Sequence, residues 1–300
     1  MGVDVADAHP AARAVFDSAS EVLGLDLLAV CRDGPASELV RTDLQQPAIL
    51  AAGAAVVAAL RATKALDESD LVACFGLSLG EFTALHAAGA LSLEDALHLV
   101  RERGLGMQEA SERISSTMLA LRAEVEAADA LCRAARAETN GVVGIANLNA
   151  PGQVVISGDT PSIEAAERLA KEHGIRRPVR LPVAGAFHSA LMQPGAARLE
   201  RALGTVTIQA PRVPVIANVT AEATTDPDVI RQNLILQVTH PVRFVECVQT
   251  AVGLGAQRVI EPAPGRVLAG LIRRIDGELQ TDSVPDEAAV AALAAAGEHA

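Results

Sequence analysis

The chain has 300 residues, half of them hydrophobic and 21% charged, which excludes a disordered chain and leaves ample apolar material for a core. Lys and Arg number 25 against 37 Asp and Glu, a net charge of −12, and there are five Phe and no Trp or Tyr. With no Lys/Arg cluster and few rings to stack on bases, nucleic-acid binding is set aside.

In chain order, residues 10–23 show helical periodicity after a polar start. The apolar run 48–60 is shorter than the roughly 20 residues that span a bilayer. It ends at Arg61 and reads as a buried, Ala-rich helix opened by Pro47, where proline's missing N–H costs little. Residues 71–75 are a short apolar run between Asp70 and Gly76, the pattern of a parallel strand buried on both faces, and they lead into a helix over 81–88. Strand, Gly turn and helix together indicate an α/β class.

The rhythm changes after Thr117. A strand over 118–121 and a helix over 124–136 precede strands over 142–148 and 153–157, joined by the Asn149-Ala150-Pro151-Gly152 turn. A helix over 162–173 and a strand over 177–181 complete the split βαβ pattern of a ferredoxin-like α+β unit. We read 116–183 as this inserted subdomain, and 1–115 with 184–300 as a hydrolase-like core around a parallel sheet. Further strands are expected over 213–217 and 258–261, and a helix over 241–252. The Pro262-Ala263-Pro264-Gly265 turn feeds a helix through Arg273, and an acidic, Ala-rich loose helix follows from about Asp282. Met1-Gly2-Val3-Asp4 opens neither a secretory signal nor a myristoylation site. Cys31, Cys74, Cys132 and Cys247 form no Cys-x-x-Cys pair, so reduced thiols and a cytoplasmic location are expected.

The strongest local signal is Gly76-Leu77-Ser78-Leu79-Gly80 at the strand-to-helix junction. A serine there sits on a sharp elbow, and the flanking glycines let backbone pass without a Cβ clash. The helix dipole and the free Leu79 N–H favour a developing oxyanion. The spacing alone is weak and also describes an ordinary glycine-rich turn; its position between strand and helix favours a nucleophile. Of seven histidines, His9 and His299 lie near the termini, His86 and His98 in helices and His173 at the end of the helix over 162–173, which leaves His188 and His240 as bases. Arg103, at the end of an apolar helical stretch, fits either a solvated helix end or a buried fork holding a carboxylate.

The elbow, extended through Glu81-Phe82-Thr83-Ala84-Leu85, resembles the Gly-His-Ser-x-Gly-Glu elbow of the malonyl-CoA:acyl carrier protein transacylase family. The resemblance continues through Val100-Arg101-Glu102-Arg103-Gly104, Met107-Gln108 and the block from Asn147 to Gly158. It then takes in Ala186-Phe187-His188-Ser189-Ala190-Leu191-Met192, Gln237-Val238-Thr239-His240-Pro241-Val242-Arg243-Phe244 and Glu261-Pro262-Ala263-Pro264-Gly265-Arg266-Val267-Leu268. These blocks stand in family order over nearly the whole chain. The resemblance implies Ser78 as nucleophile and His188 as its base, with a backbone carbonyl near Gln237 orienting the imidazole. It further implies Arg103 on the malonyl carboxylate, Leu79 N–H as an oxyanion donor and Gln46 lining the pocket. Phe187 would fill the space an α-methyl group needs and so favour malonyl over methylmalonyl.

The implied activity is malonyl transfer from malonyl-CoA to the pantetheine thiol of acyl carrier protein by a monomer with no cofactor, no metal and no membrane partner. Carrier docking is expected among Arg177, Arg180, Arg198, Arg243 and Arg266. Two departures stand out. Leu77 replaces the family's His, which predicts altered specificity or packing. The family's opening strand and Gly-Gln-Gly-Ser-Gln-type loop are absent, and a lost oxyanion donor typically costs about 2.7–4 kcal/mol, so a reading frame starting upstream is expected. The rivals are an acyltransferase of a polyketide or malonate-decarboxylating system, a serine hydrolase, and a non-catalytic homologue lacking that loop.

Overall fold

The computed structural model describes residues 1–35, 41–183, 185–262 and 264–297. Ala263 of the expected turn and His299 lie outside them. Four helices open the chain: α1 (Val3–Ala8), α2 (Pro10–Leu23), α3 (Leu27–Asp33) and α4 (Thr42–Ala62). Helix α2 starts on a proline, ends on Gly24 in the left-handed conformation, and buries Ala12, Val15, Phe16, Ala19 and Leu23 on one stripe. Pro47 does not open α4. The helix begins five residues earlier, where the Arg41 carbonyl accepts from Leu44 and Gln45, and Pro47 forgoes only the bond to Asp43 one turn in. Helix α4 is long and apolar enough to cross a membrane, but 78% of its most apolar stretch is buried inside the protein, which makes it a core helix.

Helices α5 (Gly80–Ala87) and α6 (Leu93–Arg113) follow, α6 capped by the Ser92 hydroxyl, which accepts from Asp95 N–H at 3.0 Å. Two glycines let α6 lie close to its neighbours. A Cβ on Gly104 would stand 2.6 Å from the Thr42 carbonyl oxygen, and one on Gly106 2.8 Å from Gly195 Cα.

Next come β1 (Ser116–Leu121), α7 (Val125–Thr139), β2 (Val143–Ala150), β3 (Gln153–Asp159), α8 (Thr160–Leu169) and β4 (Val179–Arg180). The four strands form one antiparallel sheet in the order β2-β3-β1-β4, in register from Ser116 opposite Asp159 to Leu121 opposite Val154. This segment buries its own cluster, including Leu119, Leu131, Ile156 and Ile163, apart from the larger core that α2, α4 and α6 share.

The remainder is α9 (Gln193–Leu203), β5 (Val215–Ile216), β6 (Ala223–Thr224), α10 (Pro227–Gln237), α11 (Phe244–Gly253), β7 (Arg258–Glu261), α12 (Val267–Ile275), β8 (Gln280–Ser283) and α13 (Glu287–Gly297). The class is α/β. The expected continuous parallel sheet is not formed among the described residues. Parallel pairing is confined to β7 with β8 and to single bridges joining Cys74 to Val215 and Asn147 to Val242. Residues 71–75 are accordingly not a doubly buried strand: Val72 is exposed and its neighbours half-buried. They and β7 both line an apolar cavity of about 650 Å³, floored by Gly53 and Val57 of α4 and by Thr83 of α5. The Ala-rich helix expected from about Asp282 forms as α13 from Glu287, and the short strand β8 takes up only the first residues of that span. The buried Glu261 carboxylate ties its end to α12, accepting from the Leu268 and Ala269 amides and the Ser283 hydroxyl.

Candidate active site

Ser78 leads into α5 with φ of +53°, a left-handed conformation that costs a non-glycine residue roughly 1–2 kcal/mol. The turn closes because Gly76 has no side chain: a Cβ there would meet the Gly80 carbonyl carbon at 2.3 Å. Asn218, just past β5 and fully buried, spans the elbow. Its Oδ1 accepts from Ser78 N–H at 2.6 Å and its Nδ2 donates to the Gly76 carbonyl at 2.6 Å. The Leu79 amide, next along, donates no hydrogen bond within the described residues.

Ser78 Oγ lies 2.8 Å from His188 Nε2. His188 Nδ1 lies 2.8 Å from the Gln237 carbonyl oxygen, which can only accept, so Nδ1 carries the proton and Nε2 offers its lone pair to the serine. Burial, reinforced by the Arg103 charge, holds the imidazole down at about 4, so His188 is neutral near pH 7. His240 is exposed and turned to the Leu236 carbonyl.

Arg103 is buried on α6 at 1% exposure, not at a solvated helix end. Its Nη1 donates to Gln46 Oε1 at 2.7 Å, and its Nη2 to Ser78 Oγ at 2.9 Å and Gln237 Oε1 at 3.0 Å. The Phe82 ring lies under it with the centroid 5.7 Å from Cζ, while its buried Nε finds no partner among the described residues. Burial pulls the guanidinium down to about 10, against the opposing pull of Glu81, and it stays charged. Phe187 is half-buried one residue before His188, packed between the main core and a second small-sheet cluster of Met118, Ala146 and Val155.

Two polar residues here escaped the sequence reading. Asn218 had one available signal, a polar residue directly after an apolar strand, where parallel α/β folds gather functional groups. Glu81 was read only as part of the elbow block. It is 2% exposed, and its Oε2 accepts from Gln237 Nε2 at 2.7 Å and from Asn218 N–H at 3.1 Å. Burial drives this carboxyl up to about 7, with the two hydrogen bonds and Arg103 pulling the other way.

Of the five arginines considered for docking, three are already paired: Arg180 with Glu167, Arg198 with Glu102 and Glu109, and Arg243 with Glu246. Arg177 and Arg266 are exposed and make no ion pair among the described residues. No group of three or more His, Cys, Asp or Glu among the described residues is arranged to hold a metal.

An elbow serine beside a neutral histidine, with a buried guanidinium at the same oxygen, is an arrangement chemically able to carry out acyl transfer. The chain belongs to the family described as the acyl transferase domain, whose model matches residues 1–294. Among its relatives is the malonyl CoA-acyl carrier protein transacylase of Bacillus subtilis, 40% identical over 289 residues, covering 95% of this chain and 89% of the relative. The Escherichia coli protein of the same name is 37% identical over 292 residues, 97% of this chain and 93% of its own. The solved malonyl-CoA:acyl carrier protein transacylase of Xanthomonas oryzae superposes with a TM-score of 0.93 at 40% identity, covering 99% of this chain and 93% of that one. A type II polyketide malonyl-transacylase solved in complex with its acyl carrier protein gives 0.92 at 35% identity, covering 98% of this chain and 94% of that one.

Proposed function

We propose that this protein transfers the malonyl group from malonyl-CoA to the pantetheine thiol of an acyl carrier protein through a malonyl-Ser78 intermediate. The observation that carries this reading is the convergence of His188 Nε2, 2.8 Å away, and Arg103 Nη2, 2.9 Å away, on one oxygen, Ser78 Oγ. Neutral His188 takes the hydroxyl proton as Oγ attacks the thioester carbonyl, and the Leu79 N–H meets the developing oxyanion. Collapse of the tetrahedral intermediate breaks the C–S bond, and the imidazolium returns its proton to the coenzyme A sulfur. In the second half the carrier thiol gives its proton to His188, attacks the malonyl-serine ester and leaves acylated, restoring Ser78–OH. No step needs a cofactor.

Arg103 supplies selectivity. A malonyl carboxylate offers two acceptor oxygens to the guanidinium, replacing the neutral acceptor Gln46 Oε1 with a charged one. An acetyl group brings no such partner. Phe187 is proposed to restrict the α-carbon to malonyl, and Arg177 and Arg266, which make no ion pair among the described residues, to meet the carrier. In this reading the elbow half is a hydrolase-like core, 116–183 is a ferredoxin-like lobe beside it, and the enzyme works in cytoplasmic fatty acid synthesis.

The test is product analysis with malonyl-CoA, with and without holo acyl carrier protein. Malonyl-carrier accumulating much faster than free malonate is the expected result. Free malonate formed at the same rate whether or not carrier is present would make the protein a thioesterase.

A further inference from the structure

Glu81 takes no step in the chemistry above, yet its carboxylate is buried against residues that hold both reacting groups. We propose that Glu81 is a positioning residue for this reaction, its carboxylate fixing Gln237 and Asn218 and through them the pose of His188 and Ser78. The proposal rests on the Ser78–His188 reading above.

One carboxylate oxygen serves donors from two different elements. Gln237 Nε2, at the end of α10, reaches it at 2.7 Å, and Asn218 N–H, after β5, at 3.1 Å. Each donor is one residue away from the reacting pair. The main-chain carbonyl of Gln237 sets the His188 tautomer at 2.8 Å, and its Nε2 also donates to the Ser78 carbonyl at 2.9 Å. The Asn218 side chain holds Ser78 N–H at 2.6 Å in its left-handed conformation.

The orientation of the Gln237 amide is set by what stands at its two ends. A guanidinium only donates and so selects Oε1, at 3.0 Å, while a carboxylate only accepts and so selects Nε2. A glutamine at position 81 could donate or accept, so the amide would lose its charged acceptor and keep only Arg103 and the Ser78 carbonyl to hold it one way round. A protonated Glu81 loses the same power to discriminate. The charged and titratable groups that act on Glu81 or are acted on by it are Arg103 on α6 and Cys247 on α11. Burial holds the carboxyl at about 7, so its ionisation falls in the working range of the reaction.

A merely structural role for Glu81 would change melting temperature and leave the pH profile and the split between kcat and KM alone. Rapid-quench intact-mass measurement of Ser78 malonylation, from about pH 5 to about pH 8.5, separates the two. Wild type is expected to acylate faster as pH rises through a step near 7. Glu81→Gln is expected to lose the step and to acylate about ten- to a hundredfold more slowly at high pH, with KM for malonyl-CoA within about threefold. Glu81→Asp keeps the charge on a shorter arm and is expected to give an intermediate rate with the step retained but displaced. A Glu81→Gln protein that keeps either the wild-type rate or the wild-type step overturns the proposal. Should that variant fail to fold, a Glu81→Asp protein with unchanged rate and profile overturns it equally. A wild-type protein that forms no malonyl-serine strikes down the Ser78 reading, and the proposal with it.

Discussion

Arg103 carries a positive charge at 1% exposure, and its hydrogen-bonding partners at Nη1 and Nη2, Gln46, Ser78 and Gln237, are all neutral. Burying a charge against neutral acceptors is costly, so an arriving carboxylate is worth more here than at a surface. Arg103→Ala should therefore lower kcat/KM for malonyl-CoA by about 1.5–3 kcal/mol, roughly ten- to a hundredfold, and acetyl-CoA turnover far less. Equal loss for both thioesters would remove the carboxylate-binding role. The serine was legible in sequence because an elbow needs Gly76 at a fixed offset, and a Cβ there would stand 2.3 Å from the Gly80 carbonyl carbon. The histidine was not legible from local pattern. His188 and His240 both sit in loops, and only tertiary packing puts one 2.8 Å from Ser78 and leaves the other exposed. Glu81 and Asn218 act through hydrogen bonds spanning 137 to 156 positions in sequence, which no local window contains.

At the scale of elements, α6 aims Arg103 because two glycines let it press against α4 and α9. Gly104→Ala would place a methyl 2.6 Å from the Thr42 carbonyl oxygen and force α6 away from the head of α4, where Gln46 lies. The expected outcome is about 1–3 kcal/mol of lost stability in urea titration, together with a raised KM for malonyl-CoA as the Arg103–Gln46 pair separates. An unchanged KM in a destabilised variant would show that the pair tolerates the shift. Long periodic helices such as α2 were readable from their apolar stripe. Strand β8 was not, because Gln280-Thr281-Asp282-Ser283 has no apolar alternation; it is held by polar ties, Arg258 to Asp282 at 2.6 Å and Ser283 to Glu261 at 2.7 Å. Residues 71–75 read as a buried parallel strand, but one side faces the 650 Å³ cavity and a single bridge at Cys74 is their only sheet contact among the described residues.

Across the whole molecule, two buried groups bend the pH dependence of stability in opposite directions. Glu81 is raised from 4.5 to about 7, so its contribution is full below 4.5 and lost as pH rises through 7. His188 is lowered from 6.5 to about 4, so its contribution is present above 6.5 and lost as pH falls toward 4. Each displacement corresponds to about 3 kcal/mol, and between about pH 4.5 and 6.5 the two slopes offset. Of these two slopes, Glu81→Gln keeps only that of His188. Stability measured by denaturant titration should then shift in the variant's favour by about 3 kcal/mol between about pH 4.5 and 8, relative to wild type. A difference that stays flat with pH would mean that Glu81 ionises at its ordinary value.

Whether Ser78 accepts the malonyl group is read from the intact mass of the protein after brief exposure to malonyl-CoA without carrier. The expected result is a gain of one malonyl group, mapped by fragmentation to Ser78, lost on adding holo acyl carrier protein and absent in Ser78→Ala. No gain in the wild-type chain, or a malonyl group that persists in Ser78→Ala, would contradict it.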